Sequence, residues 1–161
     1  MKKLRKMLGN VESQEVKEMM QVIDSQDLKT ISMWALDVVR EIPGLESLKQ
    51  ICADVINEKE EKVHLKIAIK KENDKLKDLN FLDEIAARTI IAATGVYLTP
   101  TKALGYIFYY ASYRAYYDLG FEDTKAHYDA YASQIIKKLL VRLKEVSKEK
   151  VEKPLNLKWN C

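Results

Sequence analysis

The stretch Leu82-Asp83-Glu84-Ile85-Ala86-Ala87-Arg88-Thr89-Ile90-Ile91-Ala92-Ala93-Thr94-Gly95-Val96 decides the class of fold. Its apolar residues fall nearly all round a 3.6-residue repeat instead of on one stripe, the pattern of a helix enclosed by other helices. One charge, Arg88, interrupts it, and the run is shorter than the ~20 apolar residues that cross a bilayer. The segment reads as the central core helix of an all-α protein.

Amphipathic segments flank this helix on both sides. Upstream, Val16, Met19, Met20 and Ile23 share a face, with Ser13 as N-cap and Glu15 and Glu18 near the positive end of the helix dipole. Asp27 caps a second helix with the stripe Ile31, Trp34, Ala35, Val38 and Ile42, stopped by Pro43-Gly44. Leu45, Leu48, Ile51, Cys52 and Val55 mark a third, and Leu65, Ala68, Ile69 and Leu76 mark a strongly charged fourth over 60–77. Downstream, Thr99 is the expected N-cap of a sixth helix, with Pro100 at its first position, where the missing N–H is harmless. That helix runs to Gly120. A seventh, over 123–146, carries Ala132, Ile136, Leu139, Leu140, Leu143 and Val146. Pro154 then leaves 155–161 as an extended tail. The sum is a single-domain bundle of about seven helices spanning 1–161.

Composition agrees. The 161 residues include 5 glycines and 3 prolines, too little turn chemistry for a sandwich or barrel, and 32% charged residues against 47% apolar ones is ordinary globular usage. The basic start Met1-Lys2-Lys3-Leu4-Arg5-Lys6 has no apolar export segment behind it, so a cytoplasmic location is expected. Cys52 and Cys161 are too few for a disulfide framework and are expected to be free thiols. Charge is uneven: 5 basic and 12 acidic residues give −7 over 11–61, whereas 18 basic and 12 acidic residues give +6 over 62–161. An acidic half can draw a basic partner through its summed field, although solvated helix faces also account for such runs. The cations of the second half are interleaved with acids and form no arginine-rich cluster, which argues against nucleic acid.

No catalytic motif is present: no nucleophile elbow, phosphate-cradling glycine loop or His-Glu-x-x-His. Glu61-Lys62-Val63-His64 has the Glu-x-x-His spacing of di-iron bundles, but His127 lacks a matching glutamate, so neither metal nor cofactor is expected. Six of the nine tyrosines lie in 106–117, with Tyr106, Tyr110, Tyr113 and Tyr117 on one helical face and Tyr109 and Tyr116 beside them. Such rings either fill gaps in the core or form a recognition surface. Arg88, Asp37 and Asp118 are charges in apolar surroundings, and an internal ion pair of Arg88 with Asp37 or Asp118 is the simplest expectation.

Trp34-Ala35-Leu36-Asp37, then Leu98-Thr99-Pro100-Thr101-Lys102-Ala103-Leu104-Gly105 with the aromatic run to Tyr116-Tyr117-Asp118, and the terminal Trp159-Asn160-Cys161 resemble, in order and spacing, a bacterial family of immunity proteins. The resemblance covers nearly the whole chain. It implies a small all-helical protein of a polymorphic or contact-dependent toxin system that neutralises a toxin by direct stoichiometric binding. Relatives carry histidines beside the Thr-Pro-Thr turn, where this chain has Leu98 and Lys102. An inhibitor of this kind needs no catalytic residues, only a rigid scaffold and a complementary surface. Glu12, Glu15, Asp24, Asp27, Glu41 and Glu46, with Tyr109 and Tyr113 as anchors, are the candidate contacts. Trp34, Asp37, Thr99, Pro100, Thr101, Asp118, Trp159, Asn160 and Cys161 are expected to be structural. Two rival readings are a small helical enzyme built on Asp37, Arg88 and Asp118 with tyrosines, and a nucleic-acid-binding regulator.

Overall fold

A computed structural model describes residues 7–159. Among the described residues seven helices make up the fold: α1 (Gln14–Ser25), α2 (Leu28–Val39), α3 (Glu46–Ile56), α4 (Lys62–Asn73), α5 (Phe81–Gly95), α6 (Lys102–Leu119) and α7 (Lys125–Val146), with a 3₁₀ turn at Leu76–Asp78. Among the described residues there is no strand, and no helix is long and apolar enough to cross a membrane.

α5 occupies the centre. It packs against α2, α3, α4, α6 and the 3₁₀ turn, while α7 closes the other side against α1, α2 and α6. Ile85, Ile90 and Ala93 of α5 are buried, as the all-round apolar pattern requires. The starts of α1 and α2 follow side-chain capping. Ser13 Oγ accepts from the Val16 N–H at 3.3 Å, and Asp27 Oδ1 accepts from the Thr30 N–H at 2.8 Å.

Several boundaries differ from the sequence reading. α4 stops at Asn73 instead of continuing to 77, at Asn73-Asp74, two residues of low helix propensity; the 3₁₀ turn then drops Leu76 into the core. α6 begins at Lys102, and Thr99 supplies no side-chain cap. Its backbone carbonyl instead accepts the Lys102 N–H at 2.9 Å, and Pro100 and Thr101 carbonyls accept from Ala103 and Leu104 at 3.0 and 3.3 Å. These i→i+3 bonds tighten the first turn and satisfy donors that a cap would have served.

The expected internal ion pair does not form. Arg88 bonds Glu84 one turn back at 3.3 Å, Asp37 bonds Arg40 at 2.8 Å, and Asp118 bonds Arg114 at 3.0 Å and accepts from the Tyr131 hydroxyl. Each charge finds a neighbour on the surface of its own helix, which avoids the desolvation that a shared buried pair would cost.

After α7 the chain runs without regular structure over 147–159 and is tied to the α1–α2 corner. The Leu155 N–H donates to the Gln26 carbonyl at 2.9 Å, and the buried Gln26 side chain bonds the Lys148 backbone on both sides. Asp24 holds the end of the tail: its carboxylate accepts from the Leu157 N–H at 2.9 Å and from Trp159 Nε1 at 3.1 Å. Asn160 and Cys161 lie outside the described residues.

Candidate functional site

The acids singled out in the sequence are already engaged with the chain's own groups. Glu12 lies 3.9 Å from Lys17, Glu15 3.8 Å from Lys137, and Glu46 3.2 Å from Lys49. Glu41 meets Arg142 at 3.0 Å, and Asp27 reaches Lys148 at 3.7 Å beyond its capping bond. Glu18, on the same face of α1, pairs with Lys144. The sign difference between the two halves of the sequence is thus largely resolved within the fold, where α1 and the end of α2 face the cations of α7 and the tail. The same pairs engage Lys137, Arg142, Lys144 and Lys148 of the later part of the chain.

The tyrosine face of α6 points mainly inward. Tyr106, Tyr110 and Tyr113 are buried, and Tyr116 beside them is 1% exposed, because α5 covers one flank of α6 and α7 the other. Trp34 packs edge-on to Tyr106, ring centroids 5.4 Å apart. Tyr113 is therefore a core ring, and Tyr109 is half-buried between two shallow clefts. Burial pushes the phenol pKa of Tyr106, Tyr110 and Tyr113 above its ordinary value, since an apolar surrounding disfavours the phenolate. The same cause pushes the buried Cys52 thiol up to about 12, so it is an inert core side chain.

Exposed aromatic surface gathers at one end of the bundle. α6 ends at Gly120, whose φ of 76° turns the chain so that Phe121 folds back over the helix end. Phe121 is 44% exposed and Tyr117 58%, yet both rest on other rings. Phe121 meets Phe81 at 5.8 Å and Tyr116 at 6.3 Å; Tyr117 meets Tyr113 at 5.6 Å. Arg114 stands 6.0 Å over Tyr117, held from behind by Asp118. Asp83, at the start of α5 and within the electrostatic reach of Tyr113, is exposed, as is Glu122. The result is a supported aromatic patch with an acidic margin. Phe121 escaped the sequence reading because it lies outside the helical repeat; the Gly120-Phe121 step was the available signal.

His64 bonds Glu60, not Glu61, on an exposed turn, and His127 bonds Asp123 at 2.6 Å. Among the described residues no group of three or more potential metal ligands comes together. Asp37, Arg88 and Asp118 are likewise apart, each with its own helical partner, so the acid/base constellation of an enzyme reading is not assembled from them. Comparison of the chain with protein-family models, with curated proteins and with solved structures returns no match.

Proposed function

We propose that this chain is a stoichiometric binding protein that occludes a basic protein partner, of the toxin-neutralising kind that the resemblance of its Trp-Ala-Leu-Asp, Thr-Pro-Thr and Trp-Asn-Cys segments implies. It acts in the cytoplasm without turnover. The observation that carries the reading is the aromatic end of the bundle, where Tyr117 and Phe121 are exposed while resting on buried rings. Rigid aromatic side chains offer large contact area at small entropic cost, which is why they dominate interface energetics. Asp83 and Glu122 at its margin favour a cationic partner. Tyr113 supports the surface from within, packed against Tyr117.

Protection is the test. A bacterial host producing the toxin domain encoded beside this gene should survive when the chain is co-expressed. Tyr117→Ala with Phe121→Ala should lose that protection while remaining folded, each truncation raising dissociation by about 2 kcal/mol of lost contact. Survival with the doubly truncated protein would move the interface elsewhere, and absence of any toxin domain among the neighbouring genes would remove the toxin reading.

A further inference from the structure

The outer face of α4 is unpartnered among the described residues. Leu65 and Ile69 turn inward and are buried where α4 packs against α3 and α5. The opposite side of the helix carries Val63 and Ile67, one turn apart, with Lys66 and Lys70 along one flank and Lys71 along the other. Ile67 is 61% exposed and Val63 48%. The three lysines are exposed and form no ion pair among the described residues. The nearby acids are engaged or stand at the helix ends: Glu60 bonds His64, Glu72 lies 3.7 Å from Lys75, and Glu61 and Asp74 occupy the two caps.

The two aliphatic residues are costly where they stand. A β-branched side chain on a helix loses rotamer freedom, and Val63 and Ile67 recover little burial in return. Glutamine or lysine would serve the free chain better. Val63 and Ile67 line neither the clefts beside Tyr109 nor those along α7. A convex ridge of this kind offers a protein partner no pocket for an anchoring side chain. A lipid surface conforms to it, takes short aliphatic groups at the headgroup boundary, and attracts ammonium groups carried on long stems. Unpaired cations on both flanks and no free acid between them select lipid of negative charge.

We propose that the outer face of α4 is a peripheral docking surface for an anionic lipid bilayer. Val63 and Ile67 enter the boundary between headgroups and acyl chains, and Lys66, Lys70 and Lys71 meet the lipid phosphates. The helix lies in the interface plane and does not cross it, consistent with its 12-residue length. Attachment of this kind is weak and reversible: each lysine near the surface contributes about fivefold in affinity, and two small aliphatic groups add little more. The proposal does not depend on the role of the aromatic end.

Co-sedimentation of the full chain with phosphatidylcholine vesicles containing about 30% phosphatidylglycerol, at ~0.1 M salt, tests this. Half-saturation near ~1 mM accessible lipid is expected, with no binding to vesicles of phosphatidylcholine alone. Lys66→Gln with Lys70→Gln should weaken binding about 25-fold, two lysines at about fivefold each. Ile67→Gln should weaken it about threefold while leaving the melting temperature of the free protein unchanged or raised, since glutamine is the better helix former. A merely solvated face would show the thermal effect without the loss of binding. Equal binding to both kinds of vesicle, or unchanged binding in the lysine variant and in Ile67→Gln, overturns the proposal. So does capture of poly-glutamate without any vesicle binding, which would assign the face to an acidic protein.

Discussion

Gly9 has φ of 123°, and a Cβ there would sit 2.5 Å from Phe108 Cδ1 and 2.8 Å from Cε1. Next to it the buried Leu8 donates its N–H to Ser112 Oγ at 2.6 Å, so the segment is fixed against α6 and cannot retreat. Gly9→Ala should therefore cost about 2–3 kcal/mol, from backbone strain plus overpacking, read as a lower urea midpoint at unchanged slope. Asp27 gives a pH-dependent counterpart. The Thr30 N–H, first among its causes, holds its carboxyl below the ordinary 3.8, so the stability it confers is complete above that value and fades as pH falls through the lower folded value. Asp27→Asn keeps a cap but should flatten that part of the acid limb in a pH series of thermal melts. Ser13 and Asp27 were legible as caps because a cap is a local choice of side chain. Leu45, with φ of 53°, and the inward Tyr113 were not, because tertiary packing imposes both.

At the scale of elements, the all-round apolar pattern of 82–96 announced its central place, and the single-sided stripes of α1 and α7 announced their peripheral ones. Periodicity reports how many sides of a helix are covered. It does not report which element covers them, so the direction of the tyrosine face of α6 was open until α5 and α7 were placed beside it. The tail was equally hidden. Its order comes from Asp24, an acid that in sequence looks like any solvated residue of α1, accepting from the Leu157 N–H and Trp159 Nε1. Asp24→Ala should remove both charge-assisted bonds, at about 1–3 kcal/mol for the local anchorage. Trp34 is buried elsewhere and stays constant, so the emission of Trp159 should shift to longer wavelength as the tail leaves Gln26 and Asp24. An unshifted spectrum would mean that the Leu155–Gln26 backbone bond and apolar contacts hold the tail unaided.

Across the whole molecule, the opposed charges of the two halves meet: Glu15 with Lys137, Glu18 with Lys144, Asp27 with Lys148, Glu41 with Arg142. Exposed pairs of this kind contribute only about 0–1 kcal/mol each, and their larger effect is to cancel the field that a −7 segment would otherwise project. A partner approaching α1 meets acids and cations together. Steering should instead come from the exposed acids at the aromatic end that form no ion pair among the described residues, Glu122 and Asp83. Glu122→Lys is accordingly expected to slow association with a basic partner severalfold at ~0.05 M salt, where screening extends over more than 10 Å, and to lose its effect near ~0.5 M. Glu12→Lys with Glu15→Lys should change the association rate by less than about threefold under the same conditions, because each reversal adds to a face already mixed in sign. Tyr117→Ala belongs on the other kinetic axis, since it removes contact area and not long-range attraction, and should raise dissociation. Stopped-flow association measured across salt for these three proteins separates the two faces. A steep salt response abolished by the Glu12 and Glu15 reversals would locate the binding surface on α1 despite its internal pairing.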